Sequence, residues 1–374
     1  MTAPIPLIDL QAQRRRLGEP LTRAIMQAVE GGQWIMGPQV AQLERELAHF
    51  AGVKHAVACA NGTDALMIVL RAWDIGPGDA VFVPSFTFAA SAEVVALVGA
   101  TPVFVDVCED TYNMSPASLE QAIAMVRREG KLRPRAAMPV DLFGQTADYR
   151  ALEPICAREN LKTLCDAAQG FGALLDGRRA GGIGDAAATS FFPAKPLGCY
   201  GDGGATFTND DDLARLLRSI CVHGQGDHKY ENLRIGVNSR LDTIQAAILI
   251  EKLKIFPEEI ELREAVAQRY AKAFRASNRI VVPRVIDGAR STWAQYTIQV
   301  PDRAKLQADL KAKGVPTAVY YPIPLSAQSG YRNFPSVATP VSDKICKTVI
   351  SLPMHPYLDA ATQDRVIDAV LAAV

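Results

Sequence analysis

The sequence predicts an α/β protein with a mostly parallel central sheet and a smaller α/β domain after it. Three observations predict this fold. Apolar, β-rich runs alternate with helical patterns from about residue 55 to 210, helical periodicity covers 241–276, and the pattern changes again after Val281. Strands that alternate with helices form crossovers that cover both faces of a parallel sheet. We therefore expect a large domain with an N-terminal helical segment over 1–255, and a linking helix with a small domain over 256–374.

The predicted elements follow in chain order. Two amphipathic helices over 14–29 and 40–50 flank the loop 31–38. The predicted strands of the main sheet are 56–60, 80–85, 101–107, 136–142, 161–166, 187–192 and 205–208. The predicted helices between them are 63–73, 90–98, 116–125 and 149–159. In the C-terminal part, we predict strands over 296–300 and 317–321 and helices over 303–313 and 361–373.

Composition limits the possible functions. The 374 residues include 40 Lys and Arg and 40 Asp and Glu, so the formal net charge is zero at pH 7. Hydrophobic residues make up 49%, which is too apolar for a disordered chain and ordinary for a folded enzyme. Binding to nucleic acid draws on clustered, excess basic residues, so the balanced charge argues against that partner. The basic stretch 127–135 is interpreted as a solvated connection.

The cysteines and the N-terminus predict the compartment. The seven cysteines are spread singly without a CxxC pair, which predicts reduced thiols and neither a disulfide framework nor a metal site. The first residues lack a basic region followed by an apolar one, as a signal peptide would have. No apolar run reaches the roughly 20 residues of a membrane span. We therefore expect a cytoplasmic protein without membrane partners.

Three informative patterns fall at loops that follow strands, where open α/β sheets bind ligands. In the first, Asn61, Gly62 and Thr63 stand between a strand and a helix. The backbone N–H groups there and the threonine hydroxyl would form a phosphate cradle, although a turn with a helix cap explains the same residues. In the second, Asp166 ends an apolar strand. Its carboxylate either keeps a heterocyclic nitrogen protonated or caps the following turn.

The third pattern places Lys195 between an apolar strand and a glycine-rich hairpin. Enclosure would lower the pKa of this amine, and a neutral amine is a nucleophile towards aldehydes. A phosphate loop, an aspartate at a strand end and a Schiff-base lysine are the parts that a site for pyridoxal 5′-phosphate (PLP) requires. The segment 182–187 imitates a dinucleotide fingerprint, but it precedes a strand instead of joining a strand to a helix. We therefore reject a nicotinamide-dependent function.

A family resemblance rests on longer motifs. The most specific is Ser-Phe-Phe-Pro-Ala-Lys-Pro-Leu-Gly-Cys-Tyr-Gly-Asp-Gly-Gly over 190–204, which Val-His-Gly-Gln-Gly at 222–226 and Gly-Val-Asn-Ser-Arg-Leu-Asp at 236–242 accompany. With these motifs, the chain resembles the sugar aminotransferases of the DegT/DnrJ/EryC1/StrS family. The resemblance implies the fold-type I, aspartate-aminotransferase-like fold of PLP-dependent transferases.

The resemblance also implies a role for each matched residue. Lys195 would bind PLP as a Schiff base and move a proton between the amino-acid α-carbon and the cofactor, and Asp166 would hold the pyridinium nitrogen. The other implied cofactor contacts are Gly62, Thr63 and Ser190 for the phosphate, Phe88 for the ring face and Gln169 for the 3-hydroxyl. Asn238 matches an asparagine that reaches the phosphate of the neighbouring subunit's cofactor. The resemblance therefore implies a homodimer with shared active sites.

The implied substrates are L-glutamate as amino donor and a nucleotide-linked keto-sugar as acceptor, in surface polysaccharide biosynthesis. The motifs resemble those of members that aminate C3 of UDP-2-acetamido-2-deoxy-3-oxo-glucuronic acid. The implied sugar contacts are Gly32, Trp34 and Arg240, whose planar guanidinium suits a sugar carboxylate. A structural ion pair is the alternative for Arg240.

Two other functions stay open. Those relatives commonly have a tyrosine in place of Trp34 and His-Tyr-Pro in place of Tyr320, Tyr321 and Pro322. Because these positions belong to the implied sugar pocket, a neutral, 6-deoxy keto-sugar on UDP or dTDP, aminated at C3 or C4, is the alternative substrate. A non-catalytic regulatory protein with a PLP fold is the alternative of another class. Lysine at 195, where dehydratase members have histidine, favours amino transfer.

Overall fold

The structure, a computed structural model, describes residues 4–228 and 230–374. The helices in these residues are α1 (Leu10–Glu30), α2 (Pro38–Ala51), α3 (Gly62–Ala72), α4 (Ala90–Leu97), α5 (Pro116–Glu129), α6 (Tyr149–Arg158), α7 (Asp211–Cys221), α8 (Thr243–Phe274), α9 (Arg303–Ala312), α10 (Pro340–Thr348) and α11 (Ala360–Leu371). The strands are β1 (His55–Cys59), β2 (Asp79–Pro84), β3 (Thr101–Val105), β4 (Arg133–Ala137), β5 (Lys162–Asp166), β6 (Leu174–Leu175), β7 (Arg178–Arg179), β8 (Ala186–Ser190), β9 (Gly204–Thr208), β10 (Ala289–Arg290), β11 (Tyr296–Gln299) and β12 (Val349–Leu352).

Seven strands form the central sheet in the order β1-β9-β8-β5-β4-β2-β3. Strand β9 is antiparallel to both neighbours and the other pairs are parallel, so the predicted mostly parallel sheet is confirmed. Gly204 at the start of β9 lies opposite Ser190 at the end of β8 and Cys59 at the end of β1. The segment between Ser190 and Gly204 therefore begins and ends at the same edge of the sheet, the edge that contains the C-terminal end of β1.

Apolar layers cover both faces of this sheet. Phe82 of β2 belongs to the layer that includes Leu43 of α2 and Phe256 of α8. Its neighbour Val81 points the other way, into the layer that includes Leu217 of α7. Side chains of a strand alternate between its faces, and a sheet that is buried on both faces needs an apolar residue at each position. This is why the predicted strands are continuous apolar runs.

The C-terminal part forms a second apolar core around the antiparallel strands β11 and β12. Tyr270 and Phe274, near the end of α8, pack into this core, and the rings of Tyr270 and Tyr296 lie 4.9 Å apart. Helix α8 thus joins the main sheet to the small core. The division that we expect between residues 255 and 256 falls inside this helix and stays a prediction. No helix in the described residues is long and apolar enough to cross a membrane.

The predicted strand over 317–321 is wrong. In that segment only Ala318 forms a bridge, to Ser351 of β12, and the chain then turns away from the strand. It turns because Tyr321 reaches the main domain, where its hydroxyl accepts a 3.1 Å hydrogen bond from Nε2 of Gln169. Helix α7, whose first turn is capped by the side chain of Asp210, was not predicted from the sequence, and neither were α10 and β12.

Candidate active site

Asp166 is the last residue of β5. It is buried at the edge of the sheet where β1 and β8 also end. It is 5% exposed and lies opposite Ala188 of β8. Its Oδ2 accepts a 2.8 Å hydrogen bond from the hydroxyl of Ser91, and its Oδ1 accepts one of 3.2 Å from the backbone N–H of Ala168. Burial raises the pKa of this carboxyl, and the Ser91 bond and the charge of Lys195 act in the opposite direction. The site thus provides a carboxylate that a buried cation would hold in its ionised form.

Lys195 lies on the loop between β8 and β9, on the same side of the sheet. Its backbone N–H donates a 2.8 Å hydrogen bond to the carbonyl of Phe192, which forms a tight turn. The side chain is half-buried, and burial lowers the pKa of its amine while the Asp166 carboxylate raises it. Within the described chain, no hydrogen bond holds the Nζ atom of Lys195. The amine is therefore free to react with a ligand that reaches Asp166.

The start of α3 packs against the end of β8. Asn61 caps this helix by accepting a 2.8 Å hydrogen bond from the backbone N–H of Asp64. A Cβ atom added to Gly62 would lie 2.6 Å from Cβ of Ser190, so only glycine fits there. The N–H groups at a helix start attract anions. The cap comes from Asn61, which leaves the Thr63 hydroxyl without a protein hydrogen bond in the described residues.

Gln169 joins two parts of the chain at this site. Its Oε1 accepts a 2.9 Å hydrogen bond from the backbone N–H of Phe143, and its Nε2 donates to the Tyr321 hydroxyl. The Tyr321 ring lies 6.3 Å from that of Phe88 and 5.9 Å from that of Tyr320. Phe88 is 56% exposed although it borders a buried site. An exposed ring of this size offers a flat apolar face to a ligand.

Two residues beside Asp166 were missed by sequence reasoning. Ser91 lies in the first turn of α4, and its hydroxyl is 3.3 Å from that of Thr87. Asp141, beneath the site, accepts hydrogen bonds from the backbone of Ala147, the Tyr149 hydroxyl and the Cys165 thiol. Burial raises the pKa of Asp141 to about 7. In the sequence, only the four-residue spacing of Thr87 and Ser91 at the start of an apolar helix could have indicated a buried hydroxyl pair.

Comparison with known proteins identifies the family. The model of the DegT/DnrJ/EryC1/StrS aminotransferase family matches residues 16–371. The chain belongs to this family. The predicted aminotransferase activity and fold are thereby confirmed, and aminotransferases of the family depend on PLP.

Individual relatives of this family match almost end to end. The chain is 49% identical to the UDP-2-acetamido-2-deoxy-3-oxo-D-glucuronate aminotransferase of Pseudomonas aeruginosa, over 96% of this chain and 97% of that protein. A crystal structure of a DegT/DnrJ/EryC1/StrS aminotransferase from Brucella abortus matches with a TM-score of 0.97 and 51% identity, over 98% and 99% of the two chains. NtdA from Bacillus subtilis, solved with its bound cofactor PMP, matches with a TM-score of 0.89 and 28% identity, over 100% and 86%.

In this DegT-family chain, the predicted site residues fall into two groups. Those at the sheet edge form the site described above. The others are Gly32, Trp34, Asn238 and Arg240, and within the described residues none of these four is hydrogen-bonded or ion-paired to Lys195 or Asp166. Trp34 is 56% exposed, and the side chain of Asn238 is exposed too. Arg240 lines a surface cavity of about 670 Å³.

Proposed function

We propose that this chain binds PLP through Lys195 and transfers the amino group of L-glutamate to a nucleotide-linked keto-sugar. One observation carries the proposal: the half-buried amine of Lys195, whose pKa is lowered by burial, lies near enough to the buried Asp166 carboxylate for the two charges to interact. The two groups come from different elements of the fold, β5 and the loop after β8, so their meeting is not a consequence of sequence proximity. Bound PLP accepts and returns an amino group and takes up electrons from the bond that is broken.

The residues around this pair fit the parts of PLP. The start of α3 with Gly62, Thr63 and Ser190 offers N–H and hydroxyl donors to a phosphate. The exposed ring of Phe88 offers a stacking face. Nε2 of Gln169 has a second N–H beside the one given to Tyr321, and this N–H would be the donor to the ring hydroxyl of the cofactor. Every part of the cofactor thus has a candidate partner of suitable chemistry.

The protein's own groups divide the chemistry between them. The Asp166 carboxylate would hold a ring nitrogen in its protonated form, because a buried carboxylate strongly favours a neighbouring cation. Lys195, once released from the cofactor, would be a neutral amine whose lowered pKa allows it to take a proton from the substrate carbon and give it back. We infer that these two residues are the catalytic residues.

We infer further that the active form is a homodimer in which Asn238 and Arg240 complete the site of the partner. In the described residues, no hydrogen bond or ion pair links either residue to Lys195 or Asp166 of the same chain. The surface around them carries exposed apolar side chains: Trp34, Ile35, Met36, Leu233 and Ile235 are each at least 48% exposed. Exposed apolar side chains of this density are typical of protein interfaces.

For the acceptor, we propose UDP-2-acetamido-2-deoxy-3-oxo-glucuronic acid, aminated at C3 and used in surface polysaccharide. The similarity to the P. aeruginosa enzyme supports this substrate. The Arg240 guanidinium supports it too, because in the described chain no carboxylate pairs with it and it is left to bind a sugar carboxylate. Tyr320 and Tyr321 would border the sugar, as would Gly32 and Trp34.

Two measurements test this function. Purified protein with PLP should be yellow, and glutamate should bleach this absorbance, whereas a non-catalytic PLP-fold regulator would leave the spectrum unchanged. A mass-spectrometric screen of UDP- and dTDP-keto-sugars with glutamate then identifies the acceptor.

Arg240→Ala should weaken turnover of the uronic acid far more than that of a neutral sugar. Arg215→Ala, which changes another arginine of the same cavity, is the control. Equal losses for both sugars would remove the carboxylate assignment.

A further inference from the structure

A second lysine is enclosed near the candidate active site. Lys252 on α8 is 1% exposed, and in the described residues no carboxylate lies within ion-pairing distance of its Nζ atom. Burial lowers its pKa to about 8, with the charge of Glu259 acting in the opposite direction. A buried cation is costly unless hydrogen bonds and nearby dipoles compensate it. The contacts that Lys252 makes must therefore offset the cost of its desolvation.

In the described residues, the polar contacts of the Lys252 ammonium are to the loop that carries Lys195. Nζ of Lys252 donates a 2.6 Å hydrogen bond to the carbonyl of Gly198 and lies 4.4 Å from the ring centroid of Tyr200. Two helical turns earlier on α8, Oε1 of Gln245 accepts a 2.9 Å hydrogen bond from the backbone N–H of Tyr200. Helix α8 thus holds the loop at two points, of which Lys252 is the charged one.

Gly198 is tightly coupled to the backbone beside Lys195. A Cβ atom on Gly198 would lie 2.5 Å from the carbonyl oxygen of Pro193 and 2.6 Å from that of Phe192. The same Phe192 carbonyl accepts the hydrogen bond from the backbone N–H of Lys195. The two ends of the turn are therefore in contact, and a shift of Gly198 is transmitted to Lys195 through the Phe192 carbonyl.

We propose that Lys252 is a positioning residue for Lys195: its ammonium group fixes the Gly198 carbonyl and thereby the loop that places the reactive amine. The anchoring is a property of the loop itself, and its effect on catalysis rests on the proposed function. An ammonium suits this place because it can donate to a carbonyl and lie on an aromatic face at the same time. A hydrophobic side chain would leave the Gly198 carbonyl without its partner.

The test compares Lys252→Met with Lys254→Met in the full chain with added PLP. Lys254 lies on the same helix, but it is exposed and paired with Glu251. In Lys252→Met, we expect amide hydrogen exchange in residues 196–204 to rise about tenfold, because a charge-assisted hydrogen bond is lost. We also expect kcat to fall about tenfold, with KM for glutamate unchanged. Lys254→Met should match the unchanged protein, and Lys252→Arg, which keeps a cationic donor, should restore most of both values.

The outcomes separate this proposal from the proposed function. Unchanged exchange and kcat in Lys252→Met would overturn the positioning role. If the unchanged protein does not react with PLP, the proposed function fails, while the exchange measurement still decides the anchoring. If Lys252→Met does not fold, Lys252→Gln replaces it, since it keeps a polar side chain but removes the ammonium that donates to the Gly198 carbonyl. Faster exchange of the loop in Lys252→Gln supports the proposal, and unchanged exchange overturns it.

Discussion

The hydroxyl of Ser91 donates a 2.8 Å hydrogen bond to Oδ2 of Asp166, and both side chains are buried. Burial raises the pKa of the carboxyl and this bond lowers it. Ser91 therefore favours the ionised carboxylate, which is the form that keeps a ring nitrogen protonated. The fold accomplishes this by placing the first turn of α4 against the end of β5.

Ser91→Ala should impair the proposed reaction mainly at low pH. Without this bond, the pKa of Asp166 rises further, so protonation removes the carboxylate at a higher pH than in the unchanged protein. We expect kcat to fall about tenfold, as for other lost charge-assisted hydrogen bonds, with the acid limb of the pH profile moved upward. The control is Thr87→Val, which removes a hydroxyl whose one hydrogen bond in the described residues is to Ser91. Identical pH profiles for Ser91→Ala and Thr87→Val would contradict this role.

Gly62→Ala should weaken cofactor binding because the new methyl group meets Ser190 at 2.6 Å. Either the start of α3 or the end of β8 must then move, and both border the proposed phosphate position. We expect a loss of about 1–3 kcal/mol in the free energy of unfolding, as for other overpacked sites, and at least about tenfold weaker PLP binding. Gly330→Ala is the control, because nothing lies within 4 Å of its added Cβ. PLP titration of both variants measures cofactor affinity, and urea unfolding measures the free energy of unfolding. Equal values for Gly62→Ala and Gly330→Ala would contradict the prediction.

Asp141 should make the stability of the protein depend on pH. Burial raises the pKa of its carboxyl from 3.8 to about 7 in the folded state, so the folded protein binds more protons than the unfolded chain between these values. Stability therefore falls as pH rises from about 4 towards 7. Asp141→Asn removes the titrating group and should flatten this fall.

Urea unfolding at pH 5 and pH 8 measures the effect of Asp141. The matched control is Asp74→Asn, at an exposed position whose φ of 52° asparagine also tolerates. The difference in stability between the two pH values should be smaller in Asp141→Asn than in Asp74→Asn. An equal difference in both variants would rule out Asp141 as the source.

Shared active sites should appear as complementation between two inactive variants. Lys195→Ala and Asn238→Ala would each be inactive alone. When both chains are co-expressed, a mixed dimer has one site with both defects and one intact site, so about a quarter of all sites should work. If Asn238 served its own chain, no intact site could form, and absence of activity in the mixture would contradict the proposed dimer.

Much of the fold and part of the site could be predicted because the signals are local. Asp166 is the last residue of a strand, and Gly62 and Lys195 lie three and five residues after the end of one. The apolar runs that predict those strands are continuous. Ser91 and Lys252 could not be predicted, since their partners lie 75 and 54 residues away along the chain. No spacing rule encodes such contacts, which depend on how helices pack on the sheet.

One other difference has a physical cause. The chain at Tyr321 has the β-rich composition of a strand, but its contact with Gln169 removes it from the sheet. The proposed roles of Asn238 and Arg240 depend on a second copy of the chain, so contacts within one chain do not test them.

The assignment of Lys195 as the PLP-binding residue is tested by reducing the PLP-loaded protein with borohydride and mapping the modified lysine by mass spectrometry. Both Lys195 and Lys252 are enclosed amines with lowered pKa values, so reactivity alone does not choose between them. We predict a phosphopyridoxyl group on Lys195, its absence in Lys195→Ala, and its retention in Lys252→Met. A label on Lys252, or no label on Lys195, would contradict the assignment of Lys195 as the residue that binds PLP.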